Sequence, residues 1–200
     1  SIDGPQEFHD AYRRSASGRP SFAQVMRGIE LLNRYGVEWN ALAVVNRLNA
    51  DHPLRFYRFF KQIGCHYIQF TPIVERLQAR TDGLSLAPGM QEEGELTDFS
   101  VTPRQWGHFL CTLFDEWVRS DVGDYFIQLF DATLANWVGE APGVCVLAKE
   151  CGHAGVMEFN GDVYSCDHFV YPQYRLGNLR ERTITEMMYA PKQNEVAKMK

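Results

Sequence analysis

The sequence predicts an α/β fold in two parts, and three observations carry that prediction. Helical and strand-like apolar periodicities alternate over residues 1–140, the rhythm of a parallel sheet covered by helices. A cysteine series then opens at Cys145 and continues through Cys151 to Cys166. Between the last two cysteines lies Asn160-Gly161, flanked by Val156-Met157 and Val163-Tyr164, which predicts a β-hairpin within residues 156–165. The expected domains are therefore 1–140 and 141–200.

Each element follows from local pattern. Ser1-Ile2-Asp3-Gly4-Pro5 reads as the end of a strand entering a loop. Phe22, Val25, Met26, Ile29 and Leu32 recur at helical spacing, and Gly36 stops that helix. Val37 to Val45 is an apolar run suited to a buried parallel strand. His52-Pro53 opens a second helix through Phe56, Phe59, Phe60 and Ile63, ending at Gly64, and His66 to Thr71 is the next strand. Residues 75–100 break the rhythm. Polar and glycine-rich, they predict a long loop of the kind that is functional or disordered. Thr102-Pro103 begins a helix to about Ser120, with Trp106, Phe109, Leu110, Leu113, Phe114 and Trp117 as its core face. A short strand over Tyr125–Leu129, a helix over Asp131–Val138 and a linker over 139–143 precede the cysteines. A short helix from Thr183 to Tyr189 and a polar helical tail close the chain, which reads as a piece of a longer protein.

Composition excludes several classes. A net charge of −5 does not give the broad basic footprint of a nucleic-acid binder. No apolar run reaches the roughly 20 residues a bilayer span needs. Five cysteines is an odd number, which argues against a closed disulfide set and for a reducing, cytoplasmic setting. Cys65 and Cys111 sit among apolar neighbours and are expected to be core thiols. His9, His52, His66, His108 and His153 show no metal-site spacing and read as surface or packing residues.

Cys145, Cys151 and Cys166 remain as a candidate metal set, because the hairpin would bring Cys151 and Cys166 together at its open end. Spacing alone leaves reduced structural thiols and a zinc site open. Asp167, directly after Cys166, would by position alone be a turn or capping aspartate.

The chain resembles the anaerobic sulfatase-maturating enzymes, radical S-adenosylmethionine (SAM) proteins with a SPASM domain. The resemblance rests on Ser1-Ile2-Asp3-Gly4-Pro5 with His9-Asp10 and Arg13-Arg14, and on Gln69-Phe70-Thr71-Pro72-Ile73-Val74-Glu75-Arg76. It is strongest in Cys151-x9-Gly161-x4-Cys166-Asp167-His168 and in Tyr174-Arg175-Leu176-Gly177-Asn178-Leu179. It implies the C-terminal part of a partial (β/α) radical-SAM barrel followed by the start of a SPASM auxiliary-cluster domain. The implied activity is oxidation of a sulfatase Cys or Ser, in a Cys/Ser-x-Pro-x-Arg motif, to Cα-formylglycine. The implied cofactors are [4Fe–4S] clusters and SAM. The implied partners are the sulfatase polypeptide and an electron donor such as flavodoxin or ferredoxin, with no nucleic acid and no membrane. By the same resemblance Cys145, Cys151 and Cys166 are ligands of an auxiliary cluster, Asp167 is the catalytic base, and Ser1, Arg13 and Val74 contact SAM. Gln69 and His168 would lie near the mouth of the site. The family's Cys-x3-Cys-x2-Cys motif, glycine-rich SAM motif and later SPASM cysteines are not in these 200 residues, so the chain alone is expected to be inactive. Two alternatives stand: another SPASM-domain peptide-modifying enzyme, or a non-catalytic sulfatase-binding regulatory protein.

Overall fold

A computed structural model describes residues 1–75 and 96–198. Residues 76–95 of the expected 75–100 loop lie outside them. The chain is α/β and divides between Asp131 and Ala132 into two compact units.

In the first unit, α1 (Gln6–Tyr12) and α2 (Phe22–Arg34) precede β1 (Ala41–Val45). Next come α3 (Pro53–Gln62), β2 (Tyr67–Pro72), α4 (Pro103–Ser120) and β3 (Phe126–Ile127). The three strands form one parallel sheet in the order β1-β2-β3, with Ala41 opposite Ile68 and Ile68 opposite Ile127. Parallel pairing forces a crossover between successive strands, and α3 and α4 supply it. The Thr102 hydroxyl accepts from the Gln105 N–H and Gln105 returns the bond, a capping box that starts α4 at the expected residue. Phe56 is wholly buried at the centre of the core, its ring 5.5 Å from Phe60 and 5.8 Å from both Phe70 and Phe109. Gly4 lies at φ +85°, where a Cβ would run into the Phe56 ring, so this position requires glycine on two counts. Asp121 accepts from Tyr57 Oη at 2.8 Å and Lys61 Nζ at 2.7 Å, tying the end of α4 to α3.

Three expectations are corrected here. The strand expected from Val37 begins at Ala41, because Val37 N–H caps α2 by bonding the Leu32 carbonyl while Gly36 turns at φ +64°. Cys111 is exposed rather than in the core: Phe109, Leu113 and Trp117 form the buried stripe, and two residues beyond Phe109 is about 200° round the helix. Phe114 is likewise 44% exposed, although its ring meets Phe130 edge-on. Cys65 is buried as expected.

α5 (Gln128–Trp137) spans the division. The second unit holds β4 (Val156–Met157), β5 (Asp162–Tyr164), β6 (Arg175–Asn178), α6 (Ile184–Met188) and α7 (Pro191–Ala197). Its strands form an antiparallel sheet in the order β4-β5-β6. The hairpin forms, but with a wider turn than a two-residue loop. Gly161 N–H bonds the Glu158 carbonyl, so Phe159-Asn160 are the central pair, and Gly161 follows at φ +88°. The Asn160 side chain stabilises this form by accepting from the Asp162 N–H at 3.0 Å. Val163, Leu176, Met187 and Met188 make the buried cluster, and an ion pair at 2.6 Å joins Asp162 to Arg175. No helix among the described residues is long and apolar enough to cross a membrane.

Candidate functional site

In the first unit a buried polar network surrounds one cation. Asp3, only 3% exposed, accepts from Arg13 Nε at 2.6 Å through one carboxylate oxygen and from the Val44 N–H at 2.9 Å through the other. The Asp3 N–H donates to His9 Nδ1, while His9 Nε2 lies 3.0 Å from Ser21 Oγ, which donates to the Arg13 carbonyl. Burial lowers the His9 pKa, so its ring stays neutral and acts as the acceptor for Asp3 N–H. Asp10 accepts from the Ser21 and Phe22 N–H groups at the start of α2. The guanidinium of Arg13 is thus fixed beside the carboxyl end of β1, with 40% of its side chain exposed. Carboxyl ends of strands are where open α/β sheets bind ligands. Val74 follows β2 at the carboxyl end of that strand and is 48% exposed. Ser1 is exposed and borders a cavity of about 450 Å³ walled by Val25, Ile29, Leu32, Trp39 and Leu42. Neither Arg13 nor Val74 lines that cavity. Sequence reasoning named Arg13, read His9 only as a surface or packing residue, and gave no role to Asp3. An Asp and a His six residues apart carry no signal until the chain folds back between them.

The second unit carries the thiols. Cys145 opens an exposed 3-10 turn, Cys145–Leu147. Cys151 is half-buried and its N–H donates to the Ala197 carbonyl of α7 at 3.0 Å. Cys166 follows β5 and is also half-buried. Its Sγ lies 3.1 Å from Asp167 Oδ1, and the His168 N–H donates to that sulfur at 3.4 Å. Burial pushes the Cys166 thiol pKa up, with the Asp167 carboxylate and nearby Cys145 adding to the effect. The Cys166 thiol and the His168 ring, whose Nδ1 is 3.1 Å from Oδ1, hold the Asp167 carboxyl below the usual range. The Asp167 side chain is itself exposed, 73% of it facing solvent.

Soft thiolates of this kind suit an iron–sulfur cluster or zinc. A backbone N–H aimed at a ligand sulfur is the kind of hydrogen bond that tunes cluster potential. Cys166, Asp167 and His168 also bring one donor atom each within 4.8 Å of one another, close enough to meet one ion. Cys145 and Cys151 are not part of that set, so among the described residues the donor chemistry of three thiols in one unit fits a thiolate-bound metal group, while only Cys166 sits in a gathered set of donors.

Comparison with known proteins separates these options. Residues 150–200 match the SPASM profile, an iron–sulfur cluster-binding domain. The class defined by site and fold is thus one whose C-terminal segment carries an iron–sulfur domain. More particularly, the chain is homologous along its length to anaerobic sulfatase-maturating enzymes. It is 65% identical to the serine-type enzyme of Bacteroides thetaiotaomicron, covering 100% of this chain and 49% of that protein. It is 33% identical to the cysteine-type enzyme of Clostridium novyi, over 94% of this chain and 47% of the relative. Among solved structures, native anSMEcpe with bound AdoMet superposes with a TM-score of 0.79 at 30% identity, covering 98% of this chain and 51% of that one. The same protein with AdoMet and the Cp18Cys peptide also gives a TM-score of 0.79. The chain spans about half the length of the curated relatives it matches.

Proposed function

We propose that the protein containing this chain is a radical SAM sulfatase maturase that oxidises an active-site Ser or Cys of a sulfatase to Cα-formylglycine. The observation that carries the reading is similarity over the whole chain to such enzymes, at 65% identity to a serine-type one. That relative is serine-type, and the seryl preference rests on it alone, because serine-type and cysteine-type relatives at 30% and 33% identity do not separate the two targets.

The chain's residues divide the work. Cys145, Cys151 and Cys166 would hold three corners of a [4Fe–4S] cluster, the usual thiolate ligation for such a group. Arg13, braced by Asp3, offers two terminal nitrogens to a carboxylate such as that of SAM. Ser1 and Val74 would add a hydroxyl and an apolar contact. When bound, SAM and the clusters supply a deoxyadenosyl radical that removes a Cβ hydrogen and an acceptor for the remaining electron. Asp167 would take the proton from the target hydroxyl, its carboxylate lying next to Cys166 with Oδ1 3.1 Å from Sγ. A seryl CH2–OH that loses one hydrogen atom, one proton and one electron is left as the aldehyde, so the balance closes without water. The protein would act in the cytoplasm on a sulfatase chain, with flavodoxin or ferredoxin as electron source.

The test uses the full-length protein, reconstituted anaerobically with iron and sulfide. It is incubated with SAM, a reductant and peptides bearing Ser-x-Pro-x-Arg or Cys-x-Pro-x-Arg, and products are read by mass spectrometry. The expected result is an aldehyde on the seryl peptide, reduced at least about 100-fold in Asp167→Asn, in line with loss of a general base. Deoxyadenosine with neither peptide altered would favour a different peptide modification. No deoxyadenosine from cluster-loaded protein would favour a non-catalytic sulfatase-binding role.

A further inference from the structure

The two cysteine segments of the second unit are bridged by one side chain that no role above uses. Gln193, on α7, is 1% exposed. Its Nε2 donates to the Ser165 carbonyl at 3.3 Å and to the Gly152 carbonyl at 3.4 Å. Ser165 immediately precedes Cys166, and Gly152 immediately follows Cys151. A primary amide has two N–H donors, and here each goes to the backbone beside a different cysteine. The orientation is forced: both neighbours are carbonyls, so only the NH2 end can face them. Gln193 Oε1 is buried without a partner among the described residues, a desolvation cost the amide brings with it. A methionine of similar volume would avoid that cost, so the pair of donors is what only the amide contributes. α7 is itself anchored independently of this amide. Ala197 accepts from the Cys151 N–H at 3.0 Å, and Lys192 Nζ donates to the Arg175 carbonyl of β6 at 2.8 Å. The Ser165 segment is held from its other side by two bonds to the Tyr174 carbonyl, from the N–H and from Oγ, each 3.2 Å.

We propose that Gln193 is a positioning residue for the cluster: its amide fixes the Cys151 and Cys166 thiols at the separation the cluster requires. This rests on the reading of those cysteines as cluster ligands. Groups that orient metal ligands typically change affinity or activity by about 10–100-fold when removed. The experiment compares full-length wild type with Gln193→Met, Val196→Ala and Cys166→Ala, all reconstituted anaerobically. It follows iron release to a ferrous chelator and the electron paramagnetic resonance signal that Cys166→Ala abolishes. Val196 is a buried apolar neighbour on the same helix, so its truncation weakens α7 packing but keeps the amide. The expected result is that Gln193→Met releases that cluster's iron about tenfold faster or more, with an altered signal, while Val196→Ala behaves as wild type. Should the methionine variant not fold, Gln193→Leu, which is close in volume, uncharged and without any donor, reads the same quantity. Wild-type iron retention in the Gln193 variants, or equally fast release from Val196→Ala, overturns the positioning role. Unchanged iron and signal in Cys166→Ala overturn the cluster reading itself, and this proposal with it.

Discussion

The two units bury their interiors in different ways. The first surrounds Phe56 with Phe8, Phe60, Phe70 and Phe109 and closes the end of α4 with the Tyr57–Asp121–Lys61 bonds. The second has, among the described residues, a buried cluster of Val163, Leu176, Met187 and Met188, with short strands and two short helices. A large aromatic core can hold a fold by burial alone, whereas a small one usually needs a staple. The thiols of the second unit would supply a place for one, so among the described residues the unit with the smaller buried cluster is also the one that carries the candidate metal ligands.

The largest expected effect comes from removing that staple. Metal binding is folding free energy where the ligands are brought together by the fold. Stripping iron from the reconstituted full-length protein should abolish amide-exchange protection in β4–β6 and α7 while leaving β1 and β2 protected. Equal loss in both units would end the distinction. Next in size is Phe56→Ala, which should destabilise the first unit by about 3–5 kcal/mol in denaturant titration, as deletion of a buried ring does. Iron retention at Cys166 should not change. The smallest effect is electrostatic. The Arg175 guanidinium, with Asn178, holds the Asp162 carboxyl down at about 2, against about 3.9 for an unperturbed aspartate. A depressed folded value means the stabilisation is present above pH 4 and fades as pH falls toward 2. Exchange protection in the hairpin should therefore drop between about pH 4 and pH 2 more in wild type than in Asp162→Asn. Parallel slopes in the two proteins would remove this pair as the source.

The sequence was a good guide wherever one segment determines its own structure. α2, α3 and α4 lie where apolar spacing, Gly36, Gly64 and Thr102-Pro103 put them. It was a poorer guide at phases and turns. Cys111 and Phe114 look apolar in a list but fall off the buried stripe of α4, and Asn160-Gly161 chose a wider turn because the Asn160 side chain bonds the Asp162 backbone. The cysteines could be picked out because thiol spacing around a hairpin is a local pattern. Asp3, His9 and Gln193 could not be: a glutamine in a polar tail says nothing about the two carbonyls, 41 and 28 residues away, that meet its amide.

The Asp3–Arg13 bond has a consequence for how tightly the first unit can hold an anion. A free arginine side chain carries about 2 kcal/mol of rotational entropy, which a ligand must ordinarily suppress. Here Nε is already engaged and the chain's torsions are set before any ligand arrives, leaving Nη1 and Nη2 as a fixed fork. Disorder is given up once, at folding, and a carboxylate docking there as proposed would meet a receptor whose shape has already been decided.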